Sequence, residues 1–376
     1  NVFKQREKVT KNYQYFSLYA QNKWGVINQD GEEVITPSYQ EMIIIPDEEK
    51  DVFICTYDVE EQNGTYKTKA INSKNEEIFT EYDQVEAIDN IDKNNNLWYE
   101  KNILKVSKNG KFGLIDFNGK ELLPIEYDEI TTLDGMENSV LVKKDGKVGL
   151  VNDNGSIIID ANYREIKPLG ETYKEGYITI DESGKYGVVS ATKRQILENK
   201  YDEISSVYLK DYYLVKENGK KELIDSDGKV ILDSGFDDIK SATTNGVIFI
   251  KNNLCGEIST LGEVTLEAKY QDLKEIKEGK YIAKQNDKYG IIDNVGNEQL
   301  AFEYTGITYN EKADLFFAED SEYNTSIIDD LYAVKATGIL SEVNDEDEYI
   351  RIRVKDSYKY YNFKGEETEN TKVLKN

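Results

Sequence analysis

Histidine is missing altogether from this chain of 376 residues, and cysteine, proline, methionine and tryptophan are scarce, at two, four, two and two. Without an imidazole, the Ser-His-Asp and Cys-His mechanisms, His-ligated zinc and a histidine pH switch all fall away. Each needs a side chain titrating near neutrality or an imidazole lone pair. The two cysteines, Cys55 and Cys255, stand far apart inside apolar runs. They encode no disulfide framework and no CxxC site, and they read as small buried hydrophobes, with one long-range bridge left open. Positive charge is also short: 47 Lys and Arg against 72 Asp and Glu give a formal charge of −25, and the basic residues are scattered. Such a chain repels phosphate backbones, so we expect no nucleic-acid channel and no anionic-membrane patch. No apolar run approaches the ~18 residues of a membrane span, so no membrane-spanning segment is expected, and the first residues carry no signal-peptide core. Because the sequence starts at Asn1 rather than Met, we expect a mature or truncated chain with its leader removed, extracellular or in the cell envelope. A cytoplasmic location is the alternative.

What is present is enough for a core. Hydrophobic residues make up 39% and aromatics 11%, with 28 Tyr, too many for a disordered polyelectrolyte. They are organised as a repeat. KFGLIDFNGKELLPIEYDEI begins at Lys111, and the same grammar returns from Lys23, Lys147, Lys185 and Lys288, with weaker copies from Lys67, Lys221, Leu254, Asn324 and Tyr360. The glycine position of the motif falls at 25, 69, 113, 149, 187, 222, 256, 290, 326 and 359, giving ten units. A β-type run precedes each one, such as VFICT at 52 or YIRIRV at 349. Self-similarity at such a period signals a stacked array.

Within a unit, a β-rich run leads through a polar turn to a strand with aromatic-Gly-apolar-apolar-Asp. An Asx-rich turn such as DFNG or NDNG then leads to a third strand. The Tyr-Asp-Glu-Ile that follows reads as a fourth, short edge strand of the same sheet. The glycines inside the second strand predict close approach by an aromatic ring or backbone of the neighbouring unit. The unbroken apolar triplets around them predict burial on both faces. The predicted fold class is therefore all-β, about ten short antiparallel β-meander repeats, β-propeller-like, with an open superhelical array as the alternative. We divide the chain into an N-terminal segment 1–15, an array 16–369 and a tail 370–376. The tenth unit reads as three strands, and residues 1–9 are placed to complete its sheet.

The recurring Lys-aromatic-Gly-apolar-apolar-(Asp/Asn)-x-x-Gly followed by Tyr-Asp-Glu-apolar resembles the WG-containing (KWG) repeat family of bacterial, largely secreted or envelope-associated proteins, over about nine-tenths of the chain. Only Trp24 keeps the family's tryptophan, and Lys69, Glu222, Ser326 and Lys359 replace the glycine. The resemblance implies a β-repeat scaffold and little chemistry.

Four features are candidates for function. The Asp-x-Asn-Gly turns lack the later ligands of a calcium loop and read as hairpin turns. The acidic run holding Asp345 and Asp347 is a weak candidate for calcium and reads as a solvated loop, so no metal and no cofactor is expected. The repeated acidic edge offers Asp128, Glu129, Asp202, Glu203, Asp237 and Asp238 as binding residues. Its plainer role is to cap turns or cover an edge. Finally, two units are longer by about nine residues, near 46–51 and 89–98, and insertions in repeat proteins collect on the binding face. Trp98, beside the Asn-rich loop, is the binding candidate there, and its plainer reading is the start of a strand. We expect a non-catalytic binding or scaffold module engaging a protein or glycan partner, one bearing positive charge or hydroxyls. The alternatives are a carboxylate-based glycan-active enzyme and a purely structural envelope or spore component.

Overall fold

The computed structural model describes residues 14–369. Among these the chain contains no α-helix, and apart from one 3-10 turn at Tyr173–Glu175 its regular structure is antiparallel strand. It divides into two compact units between Ile204 and Ser205, inside the strand Glu203–Ser206. The first unit holds five meanders, spanning 15–39, 53–78, 84–127, 129–163 and 165–201. The second holds five more, its first built on Tyr212–Glu217, Lys220–Asp225 and Val230–Leu232, the others spanning 238–270, 272–304, 306–338 and 339–368. The proposed pairing of residues 1–9 with the last repeat lies outside the described residues.

The phase of the repeat differs from the sequence reading. Glu129–Thr131, from the Tyr-Asp-Glu-Ile segment, does not close the third sheet. It pairs with Ser139–Lys144 and opens the fourth. The chain passes from one sheet to the next at Asp128, since Tyr127 still pairs with Phe112 of the third sheet. The same shift supplies the strand that the tenth unit lacked in the sequence reading. Val334–Asn344 pairs through its first half with Thr325–Ile328 and through its second half with Tyr349–Val354, so it serves both the ninth and the tenth meanders.

The motif glycine has a cause within its own sheet. Val148 faces Tyr163 and Leu150 faces Ile159, so residues 160–162 of the strand Ile157–Tyr163, the last of its sheet, all bulge across Gly149. A methyl on Gly149 would lie 2.7 Å from both Ala161 N and Ile159 O, closer than any real Cβ contact. The same register shift faces Gly25, Gly113, Gly187, Gly256 and Gly290. The close approach therefore comes from the bulged last strand of the sheet, and the expectation of a neighbouring unit packing there is corrected. Where the glycine is lost, the bulge is lost too. The partner of Ser326 pairs regularly through Thr337, and the last strands beside Lys69, Glu222 and Lys359 are too short to cross them.

Stacking explains the apolar triplets. Leu150 packs in the cluster between the fourth and fifth meanders and its neighbour Val151 in the cluster between the third and fourth. Ile291 and Ile292 divide in the same way between the ninth and seventh neighbours of the eighth meander. Every hydrophobic cluster described within either unit joins two consecutive sheets. The second, third, fourth, seventh, eighth and ninth meanders each supply half of two cores, so within a unit each repeat is stabilised by its neighbours. Cys55 and Cys255 lie in two of these cores, and neither forms a disulfide. Burial pushes the Cys55 thiol up to about 11, which keeps it protonated and inert.

Candidate functional site

The polar parts of the motif are consumed by the fold. In the Asx turns the first side chain accepts two backbone N–H groups: Asp116 Oδ1 takes those of Asn118 and Lys120, both at 2.9 Å, and Asp225 Oδ1 those of Asp227 and Lys229. Oxygens engaged this way are spent on the turn. Among the described residues no group of three or more His, Cys, Asp or Glu is placed to hold a metal ion.

The acidic edge is engaged in a related way. Asp128 Oδ2 accepts the backbone N–H of Asp145 at 2.8 Å while Oδ1 pairs with Lys111, the lysine that begins the preceding motif. Asp202 pairs with Lys185, and Asp237 Oδ2 accepts the N–H of Asn252 at 2.7 Å. Asp238 accepts the N–H of Ile239. Glu129 lies exposed on its strand opposite Lys143, and Glu203 is exposed at the start of its strand. Asp345 accepts from Asn310 Nδ2, and the N–H of Asp347 donates to Asn344. None of these carboxylates lines the cleft formed by the two long repeats. The buried Glu257 is likewise occupied, by Tyr281 OH and Thr265 Oγ1 at 2.6 Å each.

The two long repeats, by contrast, meet in the first unit. The first addition is the loop 45–51, whose Glu48 carbonyl accepts the N–H groups of Gln14 and Tyr15. The second extends the hairpin of Gln84–Ile91 and Leu97–Lys108. Here Ala87 faces Leu104 but Asp89 faces Tyr99, so Ile88 alone is opposed by Glu100, Lys101, Asn102 and Ile103. Bulges of this kind re-aim side chains. Ile103 is driven into the core, and Glu100, Lys101 and Asn102 are turned toward a cleft. Asn90 fixes the hairpin against the fourth meander: its Nδ2 donates to Leu133 O and Met136 O at 3.1 and 3.2 Å.

That cleft has a volume of about 650 Å3 and is walled by Ile45–Glu48, Trp98–Asn102 and the turn at Glu137 and Asn138. Trp98 is half-buried, the second residue of its strand, and opposite Asn90. Lys101 Nζ reaches both oxygens of Glu48, at 3.1 and 3.2 Å. Asn102 Nδ2 donates to Asp153 Oδ2 at 2.6 Å, and Asp153 N donates to Asn138 O. Glu100 is only 3% exposed, and its Oε1 has no hydrogen-bond partner. Burial, with the charges of Asp153 and Glu137, pushes its carboxyl up to about 7. A second hollow of about 410 Å3 shares Ile45, Glu48 and Tyr99 with the cleft and adds Phe16 and Met42, 40% and 51% exposed. Sequence reasoning found the two insertions and Trp98 but missed Glu100. Its signal was three polar residues, Glu100–Asn102, interrupting a strand between Trp98-Tyr99 and Ile103-Leu104.

Among the described residues no helix is long and apolar enough to cross a membrane, a statement that leaves β-barrels aside. No curated protein matches the chain. Among solved structures, Hsv2p of Kluyveromyces lactis is 10% identical at a TM-score of 0.29, covering 61% of this chain and 91% of its own. BamB of Moraxella catarrhalis is 11% identical at a TM-score of 0.21, covering 94% and 95%. A eukaryotic initiation factor is 10% identical at 0.26, covering 72% and 96%. At these scores the likenesses carry no argument. The repeats themselves do: the family model for the WG containing repeat matches residues 24–45, 112–147, 149–186, 186–220, 223–253 and 258–289, together about half of the chain. With Trp24-Gly25 in the first of those stretches and the aromatic-Gly bulge recurring through them, this chain belongs to the WG containing repeat family.

Proposed function

We propose that this protein is a non-catalytic binding module, working at the cell envelope or outside the cell as its family resemblance implies, whose partner docks in the cleft of the first unit. The observation that carries the reading is the convergence of both repeat insertions on one cleft, while Asp128, Asp202 and Asp237 of the regular repeats are spent on turns and on pairs with the motif lysine. Trp98 and Tyr99 offer flat apolar surface, and Phe16 and Met42 extend it. Exposed large apolar side chains gathered at a concavity favour a protein segment as the occupant. The test is selection of binders from a displayed peptide library, followed by titration against Trp98→Ala. We expect selected peptides to lose at least tenfold in affinity with the variant. Binders indifferent to Trp98 would contradict the reading.

A second reading draws on Glu100. A carboxylic acid with a raised pKa in a cleft that also holds Glu48 and Glu137 is the equipment of a general acid. Hydrolysis of a glycan panel by the wild type, abolished in Glu100→Gln, would establish that enzyme reading in place of the first.

A further inference from the structure

We propose that the cleft of the first unit captures a cationic side chain, a lysine or arginine flanked by an apolar residue in a partner protein, with Glu100 as its counter-ion. The inference rests on the binding reading above and names its ligand chemistry.

The argument begins with the cost of Glu100. An acidic side chain is almost never fully buried without a partner, because desolvation of the charged form is expensive. Glu100 is 3% exposed with Oε1 unpartnered. The structure nonetheless devotes a bulge of three extra residues to presenting it. Among the described residues that line the cleft or act on Glu100, each charge is committed elsewhere or has the same sign. Lys101, its neighbour on the strand, is held by Glu48 of the loop. Asp153, from the turn after Lys147–Asn152, accepts from Asn102. Glu137 and Asp47 line the cleft and add negative charge. Among the described residues the lining thus carries Asp47, Glu48, Glu100 and Glu137 against one cation, Lys101. Among those residues, a cation is the group this site lacks.

The walls fit the rest of such a ligand. Trp98 and Tyr99 line the cleft, and an aromatic ring attracts an ammonium or guanidinium electrostatically. The adjoining hollow with Phe16 and Met42 receives a flanking apolar residue, because it shares Ile45, Glu48 and Tyr99 with the cleft. The charge of −25 on the whole chain draws a basic partner toward the site.

A proton accompanies the event. In the free protein the Glu100 carboxyl is about half protonated at pH 7 and mostly protonated at pH 6, and entry of R–NH3+ stabilises the carboxylate. Glu100 then releases its proton to solvent and forms the ion pair, leaving the ligand's ammonium intact. Asp47, Glu48, Lys101, Glu137 and Asp153 all face this exchange.

The test uses two capped tripeptides, acetyl-Phe-Lys-Leu-amide and its norleucine analogue, titrated calorimetrically into the whole chain. Runs at pH 6 and pH 8, in buffers of different ionisation enthalpy, count the protons released. We expect the lysine peptide to bind at least tenfold more tightly than the norleucine peptide at pH 8. Its affinity should rise by up to about tenfold from pH 6 to pH 8, as the protonation penalty disappears. Release should approach one proton at the lower pH. Glu100→Gln should abolish both the lysine preference and the pH dependence, while Trp98→Ala weakens both peptides alike. If both peptides bind equally and depend on Trp98, the binding reading stands and the cation inference falls. If neither binds, or if neutral oligosaccharides compete for the cleft instead, the inference is overturned. A lysine preference that survives in Glu100→Gln would also overturn it.

Discussion

Gly149 has no room for a methyl group, because the last strand of its own sheet folds across it. Gly149→Ala should therefore destabilise the protein by about 1–3 kcal/mol, as overpacking does. Urea unfolding would measure this, and an unchanged midpoint would contradict the bulge. The turn carboxylates and Glu100 act in opposite directions with pH. Asp92 and Asp320 are held below the usual carboxylate range, foremost by the backbone N–H groups of Asn96 and Asn324. The folded state therefore holds these protons less tightly than the unfolded chain. Their stabilisation is complete above the unfolded value near 4 and is lost as the pH falls through the lowered ones. Glu100 is raised, so the folded state holds its proton more tightly, and stability falls as the pH climbs from about 4.5 to about 7. Glu100→Gln should accordingly leave the melting temperature at pH 4 unchanged and raise it at pH 8. A loss at pH 8 instead would mean that Glu100 is stabilising in its charged form. At this scale the sequence displayed the glycines, the Asx turns and Trp98 openly. Glu100 stayed hidden because its burial arises from a bulge and from Glu137 and Asp153, which are distant in the chain.

The meander is the element that the sequence defines best and also the one whose edges it misplaces. Strand content, turn positions and the ten-fold period follow from apolar runs punctuated by Asx and Gly. The sheet change at Asp128 has no such mark: Tyr127 and Glu129 are consecutive strand residues on either side of it, with neither Gly nor Pro between. Sequence alone therefore assigned Tyr-Asp-Glu-Ile to the sheet it leaves. The Lys111–Asp128 and Lys185–Asp202 pairs give the motif's first lysine a purpose, since each ties one meander to the strand that opens the next. The long hairpin adds a contact that the regular repeats lack, through Asn90 to the loop at Leu133 and Met136. Asn90 is 3% exposed and its carbonyl oxygen also takes the N–H of Gly135. Asn90→Ala should cost about 1–3 kcal/mol by stranding those buried groups. It should also raise hydrogen exchange at 133–138, which forms one wall of the cleft. If exchange there is unaltered, the hairpin does not position that wall.

On the scale of the whole molecule, no meander owns a core. Each hydrophobic cluster described in either unit lies between successive sheets, so stability is a sum of neighbour terms and damage should stay local. The specialised cleft is compatible with this plan, since loops can lengthen at one place without disturbing the stacking elsewhere. Leu114 is fully buried on the strand Lys111–Ile115 of the third meander, in the cluster shared with the fourth. Leu114→Ala should cost about 2–5 kcal/mol locally. Hydrogen-exchange mass spectrometry of this variant against the wild type tests the plan most directly. The account predicts lost protection in 84–127 and 129–163, with strands at 315–319 and 349–354 as protected as before. A uniform loss across all ten meanders would show a single cooperative core and contradict it.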